Sequence, residues 1–564
     1  MARLEDLGEV ISTDLLIVGG GFGGLVSAIK AKEGFPDVDV LIVDRETIGW
    51  AGKAPKGGGF FVVFTPDEDP DKFVDYHVKN IGIYLENQEL LHAYAREAYG
   101  NVKDLSDWGV YVDKDTEGKI NAVKNGFNGL WSYAGADLNM QLPLRARARK
   151  LGAKMMNKVE VVELLKEGER VVGAVGLNVV DGRFYIFKSK ATILANGSCN
   201  YRARRMWAAG SGDGIAAAYR AGAEMRNAEF GNCCPDLVIK DTENNADRRF
   251  IFNALGENLS KKYEPEQQAD MPLDLLLGVE KEVNEGRGPI YEDVSTRTGS
   301  ASLFASVEMW KRPHWTVFHG RMASKIQQYG PPASQKREVT IRVHAELSPV
   351  KVDHEMRTTL EGLWAIGDTC YDGSAMAGAI AAPPGKMRGS GLGYTAFSAL
   401  RGTVPATRFV SKAGSPGVDD KEVKRFKEDI FAPMKRDKGV LPADAISAIQ
   451  DVILPVKYSL HRSKGSLEEG LSRIAEIQQK LPELYAKDSH GLCKCIQAKS
   501  MALLAEMTFR AALARTESRG WHYREDYPKR DDKNWLKWVI LKRKEGKMVV
   551  STEPVPIEKY KFKP

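Results

Sequence analysis

Two constellations in this chain could do chemistry. In NEGRGPIYED, residues 284 to 293, Arg287 stands between two glycines and close to Glu285, Glu292 and Asp293. Glycine on both sides strips away steric cover, which suits a guanidinium that must reach into a cavity. The alternative reading is a turn carrying a solvated arginine. The second constellation is Gly19-x-Gly21-x-x-Gly24 within DLLIVGGGFGGLVSAIK, followed by DVDVLIVD, which ends in Asp44. Glycines in that spacing let a pyrophosphate approach the backbone at a helix N-terminus, where free N–H groups and the helix dipole favour negative charge. An acid at the tip of the next strand can hold a ribose hydroxyl.

The elements that must position these residues are legible beside them. An apolar strand precedes the glycines, a small-residue helix follows, and a second strand carries Asp44. This much accommodates FAD or NAD. KATILANGS (190 to 198) and TTLEGLWAIGD (358 to 368) add two further strands with small or acidic residues at their ends. Distant segments returning to one sheet fit a long cofactor held at several points, with Asp368 placed for a ribityl or pyrophosphate contact. These motifs resemble the FAD-binding segments of flavoprotein oxidoreductases. The clusters Gly210 to Gly214 and Gly389 to Gly393 follow no convincing strand, so no second dinucleotide fold for NAD(P)H is expected. Electrons then come from a protein, a dissociable carrier or the substrate.

Composition sets the frame. A length of 564 residues predicts two to four domains, and 43% hydrophobic with 28% charged residues is globular. No apolar run approaches the ~20 residues of a membrane helix, and MARLEDLGEV has acids where a signal peptide is basic and then apolar. A cytoplasmic protein is expected. None of the six cysteines has C-x-x-C spacing, so no metal ligands are expected and any iron–sulfur cluster belongs on another chain. The net charge of +6 favours an acidic partner or an anionic substrate. No nucleic-acid partner is expected.

Later segments speak to organisation. In SLEE, Ser466 and Glu469 have capping-box spacing, and Leu467, Leu471, Ile474 and Leu481 follow on a helical face. The stretch 402 to 424, rich in glycine, proline and charge, reads as the linker into that helical region. RTESRGWHYREDYPKRDDKNW (515 to 535) alternates charge so densely that it reads as a salt-bridged packing surface.

The order of KGGG (56 to 59), GSGDGIAAAYRAGAE, NEGRGPIYED, EGLWAIGD and the tail motif resembles the flavoprotein subunits of the succinate dehydrogenase and fumarate reductase family. The adenylylsulfate reductase alpha subunit is a similar branch. The resemblance implies an α/β fold: a Rossmann-like FAD-binding domain with an inserted α+β capping domain and a C-terminal helical domain. The implied boundaries are 1–226 and 344–405 for the FAD domain, 227–343 for the cap, 420–525 for the helical domain and 526–564 for a C-terminal region. It also implies FAD contacts from Gly19, Gly21, Phe22, Gly23, Gly24, Asp44, Arg45, Gly52, Lys56, Gly57, Gly58, Val159, Ala195, Asn196, Gly197, Asp213, Gly367, Asp368, Ser390 and Leu392.

Three catalytic roles follow from the same resemblance. Arg287 passes a proton to or from carbon while flavin N5 passes hydride to the neighbouring carbon. An arginine does this only if substrate, carboxylates and burial share the charge change. His344 helps bind a substrate carboxylate, and Arg388 grips one through two parallel hydrogen bonds. Gly389-Ser390-Gly391 opens a helix aimed at the flavin's pyrimidine oxygen. Two departures bear on substrate and cofactor. Fumarate-active members carry a Q-F-H-P-T type segment whose histidine binds a carboxylate, whereas AEFGNCCPD has Cys234 there, and the loop DTENNADRRF keeps the family's pattern poorly. Covalent members present a histidine where this chain has Gly52, so the FAD is expected to be non-covalent.

The expected function is therefore transfer of hydride between flavin and a carbon–carbon bond beside a carboxyl or carbonyl group, on a substrate other than plain fumarate. An iron–sulfur or ferredoxin-like subunit is the expected electron partner. Alternatives are an adenylylsulfate-reductase-like flavoprotein acting on sulfur, and a non-catalytic FAD scaffold or electron relay.

Overall fold

The computed structural model describes residues 3–56, 59–124, 129–203, 210–232, 234–240, 246, 248–265, 273–293, 336–371 and 390–564. At its centre is a seven-stranded sheet. Its four central parallel strands are Val40–Asp44, Glu9–Val18, Phe184–Leu194 and Leu363–Ala365, with Lys154–Asn157 parallel at one edge. Arg170–Asn178 and Val159–Glu167 extend it antiparallel on the other side. The apolar runs LLIV, VLIV and ATIL are buried from end to end, as strands covered on both faces must be. The Phe22–Gly34 helix links the first two strands and packs against the long Ser390–Val410 helix.

Register brings the strand ends together. Val18 pairs with Val43 and with Leu194, Ala365 pairs with Leu194, and Asp44 pairs with Asn157. Four loops separated widely in sequence therefore leave the same carboxyl edge. In open α/β sheets that edge is where a ligand lies.

A four-stranded antiparallel sheet forms the cap, in the order Cys234–Ile239, Lys336–His344, Tyr291–Asp293, Ile251–Phe252. The Leu273–Asn284 helix covers it through Leu275, Leu276 and Val279, with Leu237, Ile251 and Ile290 in the same apolar cluster. The helical part comprises Asp420–Phe431, Pro442–Ile453, Lys464–Lys480 and Ser489–Ala514. The C-terminal hairpin Lys537–Lys544 and Lys547–Pro554 returns to pair with Met225–Arg226. No helix among the described residues is long and apolar enough to cross a membrane.

Three expectations are corrected. The expected linker is helical as far as Val410, and only 411–419 joins it to the next helix. Tertiary packing decides this: a Cβ on Gly402 would stand 2.8 Å from Met356 Cβ, so glycine lets the helix lie close. Thr403 and Thr407 donate to Ala399 and Thr403 carbonyls within the helix, which hides their polarity. The later helix begins two residues before Ser466. Ser463 is its cap, accepting the Ser466 amide at 3.2 Å, while the Ser466 hydroxyl takes the Ser463 amide at 2.9 Å. Glu469 instead holds Lys457 and Tyr458.

The tail motif is a surface only in its second half, where 525–530 are exposed; its first half is buried. Arg462, Arg515, Arg519 and Arg524 are among the largest fully buried side chains of the protein. Arg515 donates to Glu229 at 2.7 Å, to Glu517 at 2.9 Å and to the Trp535 and Lys537 carbonyls. Arg519 forks onto Glu517 and reaches the Ile83 carbonyl. Burial, then Arg462, pushes His522 well below its ordinary pKa. The neutral ring accepts from Arg462 at Nδ1 and donates to the Arg515 carbonyl through Nε2. Such buried charges persist only where every donor finds an acceptor.

Candidate active site

The cofactor crevice is built by close backbone approach. Gly19 has φ +114°, and a Cβ there would meet the Ala195 carbonyl oxygen at 2.3 Å; one on Gly24 would meet the Gly19 carbonyl oxygen at 1.9 Å. Only glycine permits that packing of loop, strand and helix. The Phe22–Gly34 helix thus opens into the crevice with its first-turn amides outside the intrahelical ladder. Asp44 accepts the Gly20 amide at 2.6 Å and the Glu46 amide at 2.5 Å. Burial pushes its pKa up against the pull of those two amides.

Opposite this loop, Gly367 donates to Ser398 and Gly197 donates to Thr369, each at 2.9 Å, fixing the ends of two further strands. Asp368 is mostly buried, and its Oδ1 has no hydrogen-bond partner among the described residues. An open helix N-terminus, an acid at the second strand and a free buried carboxylate oxygen on one crevice fit a flavin dinucleotide. Asn196 lies against the Gly212 to Gly214 turn, its Oδ1 2.3 Å from where a Gly214 Cβ would be.

Lys53 is the cation of this crevice. Its ammonium donates to Glu346 at 2.5 Å, to Ser198 at 2.7 Å and to Asp368 at 3.2 Å. Burial works against the charge, yet the two carboxylates outweigh it and raise the lysine's pKa. Glu346 has no side-chain exposure, and burial pushes its pKa up despite the lysine. A water-sized cavity lies beside Glu346, Ser348 and Tyr371.

Glu346 sits just beyond the Lys336–His344 strand, so this strand carries the chain from the cap sheet into the crevice. Cys234 and His344 are register partners across the antiparallel pair. Tyr291–Asp293 also pairs antiparallel with that strand, Tyr291 opposite Glu338 and Asp293 opposite Lys336. Its N-terminal end, where Arg287 leads in, therefore points along the strand toward His344.

Arg287 is partly buried and held by carboxylates. It donates to Glu282 at 2.5 and 3.0 Å and also to Glu285. Asn253, Tyr263 and Lys262 converge on Glu282 as well. The bonds from Arg287 come first in holding Glu282 well below the usual carboxylate range, and Glu282 in turn raises the guanidinium's pKa. Glu292 is not available to Arg287: it is buried and paired with Arg337, its register partner. Asp293 faces Lys336.

Of the other expected site residues, Arg45 pairs with Glu160 at 3.2 Å and Asp213 at 3.5 Å, beside Ser211. Burial, then Asp213, pushes Glu160 up to about 8. Val159 is a buried strand residue. Gly21, Phe22, Gly23, Ala195 and Gly197 line the crevice loops; Gly23 packs on Thr395. Ser390 and Leu392 open the long helix. Gly52 has φ +76°, and none of the described residues lies within 4 Å of where its Cβ would stand. Lys56 closes a short 3-10 turn. Arg388, Gly57, Gly58, Cys233 and most of DTENNADRRF lie outside the described residues. Reasoning from sequence missed Lys53, Ser198, Glu282 and Glu346. Ser198 ends the KATILANGS segment, Lys53 follows Gly52 and Glu346 stands two residues after His344; a buried lysine needs buried acids.

Comparison with known proteins agrees with this geometry. Residues 14–382 match the FAD binding domain model, and 452–564 match the fumarate reductase flavoprotein C-terminal model. The chain belongs to the fumarate reductase and succinate dehydrogenase family of flavoproteins, and it is an FAD-dependent oxidoreductase. It is similar to one subunit of the fumarate reductase (CoM/CoB) of Methanothermobacter marburgensis, at 24% identity over 95% of this chain and 98% of that one. It is also similar to the fumarate reductase flavoprotein subunit of Haemophilus influenzae, at 22% identity over 98% and 95%. The fold matches E. coli quinol fumarate reductase FrdA with a TM-score of 0.81, at 17% identity and covering 98% of each chain. It matches adenylylsulfate reductase from Archaeoglobus fulgidus at 0.78, with 21% identity and coverage of 100% and 99%.

Proposed function

We propose that this chain exchanges hydride between bound FAD and a carbon–carbon bond beside a carboxyl or carbonyl group, on a substrate other than plain fumarate or succinate. The observation that carries the reading is the single strand Lys336–His344, which runs from the sheet leading to Arg287 to the Lys53–Glu346–Asp368 crevice. FAD, when bound, supplies a ring that gives or takes hydride. Arg287 is the proton donor of this reading, with Glu282 and Glu285 as the acids that share its charge. Arg388 grips a substrate carboxylate, and His344 assists it. Cys234 in register with His344 supports a bulkier or mono-acid substrate, because a thiol cannot serve as a cationic clamp.

The domain division 1–226 with 344–405, 227–343, 420–525 and 526–564 belongs to the same reading. The cap sheet, the four helices and the terminal hairpin support it. Electrons pass to or from a separate iron–sulfur or ferredoxin-like subunit. Supporting this, two relatives are named as subunits, and no group of three or more His, Cys, Asp or Glu among the described residues is arranged to hold a metal ion. The test is anaerobic photoreduction followed by a panel of enoates, fumarate and adenylylsulfate. Flavin reoxidation by enoates is expected. Reoxidation by adenylylsulfate alone selects sulfur chemistry, and reoxidation by none leaves an electron relay.

A further inference from the structure

Lys53, Glu346 and Asp368 come from three distant segments, yet they form one cluster at the carboxyl edge of the central sheet. The lysine directs its three N–H donors at three acceptors, Glu346, Ser198 and Asp368. No donor is left over, so Lys53 is fully committed. The carboxylates are not: Glu346 Oε1 and Asp368 Oδ1 are buried without a hydrogen-bond partner among the described residues. One ammonium between two carboxylates leaves a net negative cluster inside a crevice of low polarisability. Lys53 carries the whole of the compensation, because no other ammonium or guanidinium is bonded to either carboxylate among the described contacts.

A salt bridge built only for stability gains little from such a place, since desolvation offsets the attraction. The location suggests another use. The cluster joins the loop after Phe184–Leu194 to the turn after Leu363–Ala365, the edge that would hold the dinucleotide. Reduction of a flavin by two electrons and one proton adds one negative charge to the ring. A fixed cation nearby favours that charge and a fixed anion opposes it, by an amount set by distance and local polarisability.

We infer that Lys53 is a positioning residue that holds Asp368 and Glu346 in place for FAD and, with Glu346, sets how readily the bound flavin is reduced. The inference rests on the FAD assignment and not on the identity of the substrate, so a failed enoate panel leaves it standing.

The test uses two variants of opposite charge in the purified holoprotein. Glu346→Gln removes a negative charge and leaves Lys53 with Asp368. Equilibrated anaerobically against a reference dye over a pH series reaching about 9, since burial pushes the Glu346 carboxyl above the ordinary carboxylate range, it should raise the ratio of reduced to oxidised flavin about tenfold at the alkaline end. Lys53→Met should lower that ratio under the same conditions, and fluorescence titration should show weaker FAD binding. Lys53→Arg keeps the charge and should leave the ratio near that of the parent protein, which serves if Lys53→Met does not fold. Opposite shifts cannot come from loosened packing, which moves both variants the same way. Shifts of the same sign, or an unchanged ratio in Glu346→Gln, overturn the inference.

Discussion

Cys234 and His344 are register partners on adjacent antiparallel strands of the cap sheet. On the reading that a family histidine corresponds to Cys234, the pair offers one imidazole position instead of two. Cys234→His should therefore improve use of fumarate, lowering its apparent KM by about tenfold if one charge-assisted hydrogen bond is gained. Steady-state kinetics with fumarate and with the best enoate decide this. No change in fumarate KM would mean that the register position does not face a carboxylate.

Arg287 and Arg388 should separate kinetically. Arg287→Lys keeps charge but not the planar fork that spans Glu282 and Glu285, and should cost ~10²- to 10⁴-fold in turnover with flavin content intact. Arg388→Lys should raise KM as well. Near-normal turnover of Arg287→Lys with an unsaturated acid would return that arginine to an ordinary surface turn.

The flavin should leave with acid. Gly52 offers no side chain to carry a flavin bond, and none of the described residues lies within 4 Å of where its Cβ would stand. Precipitation should release all the yellow colour into the supernatant, and colour retained in the pellet would contradict this.

His461 ties the cap helix to the tail, with Nε2 on Glu280 and Nδ1 2.7 Å from Glu525. The bond to Glu280, then that to Glu525, raises its pKa to about 9 from an ordinary 6.5. A raised cation gives stability that is complete below pH 6.5 and lost as pH rises through about 9. Protection of the Leu273–Asn284 amides relative to their intrinsic exchange at each pH should fall across that window in the parent protein, and His461→Gln should flatten the dependence. An unaltered profile in the variant would dismiss the clamp.

Removing one member of the buried tail network should be severe. Arg515→Met leaves Glu229 and Glu517 without their shared guanidinium, a loss of about 3–5 kcal/mol. Denaturant unfolding of the holoprotein measures it, and a loss below about 1 kcal/mol would show that water or another cation replaces the arginine.

Much of the flavin crevice was determined by sequence alone, because its signals are local. Gly19, Gly21 and Gly24 specify a backbone route that side chains would block, and apolar runs ending in Asp44 and Asp368 specify buried strands with polar tips. Backbone sterics and alternation act over a few residues and can be read there. Tertiary structure decided what depends on distant partners. Lys53 meets Glu346 across 293 residues, and Arg515 meets Glu229 across 286. The charge pattern of the tail is the same for a solvated surface and for a buried network; only the elements packed over it distinguish them. The long Ser390–Val410 helix likewise overrides its glycine and proline, because packing against Met356 rewards a small residue where local propensity disfavours one. Arg287 shows both sides: its glycines were visible and Glu282 stands only five residues away, but Asn253 and Tyr263, which hold Glu282 for it, come from other elements of the cap.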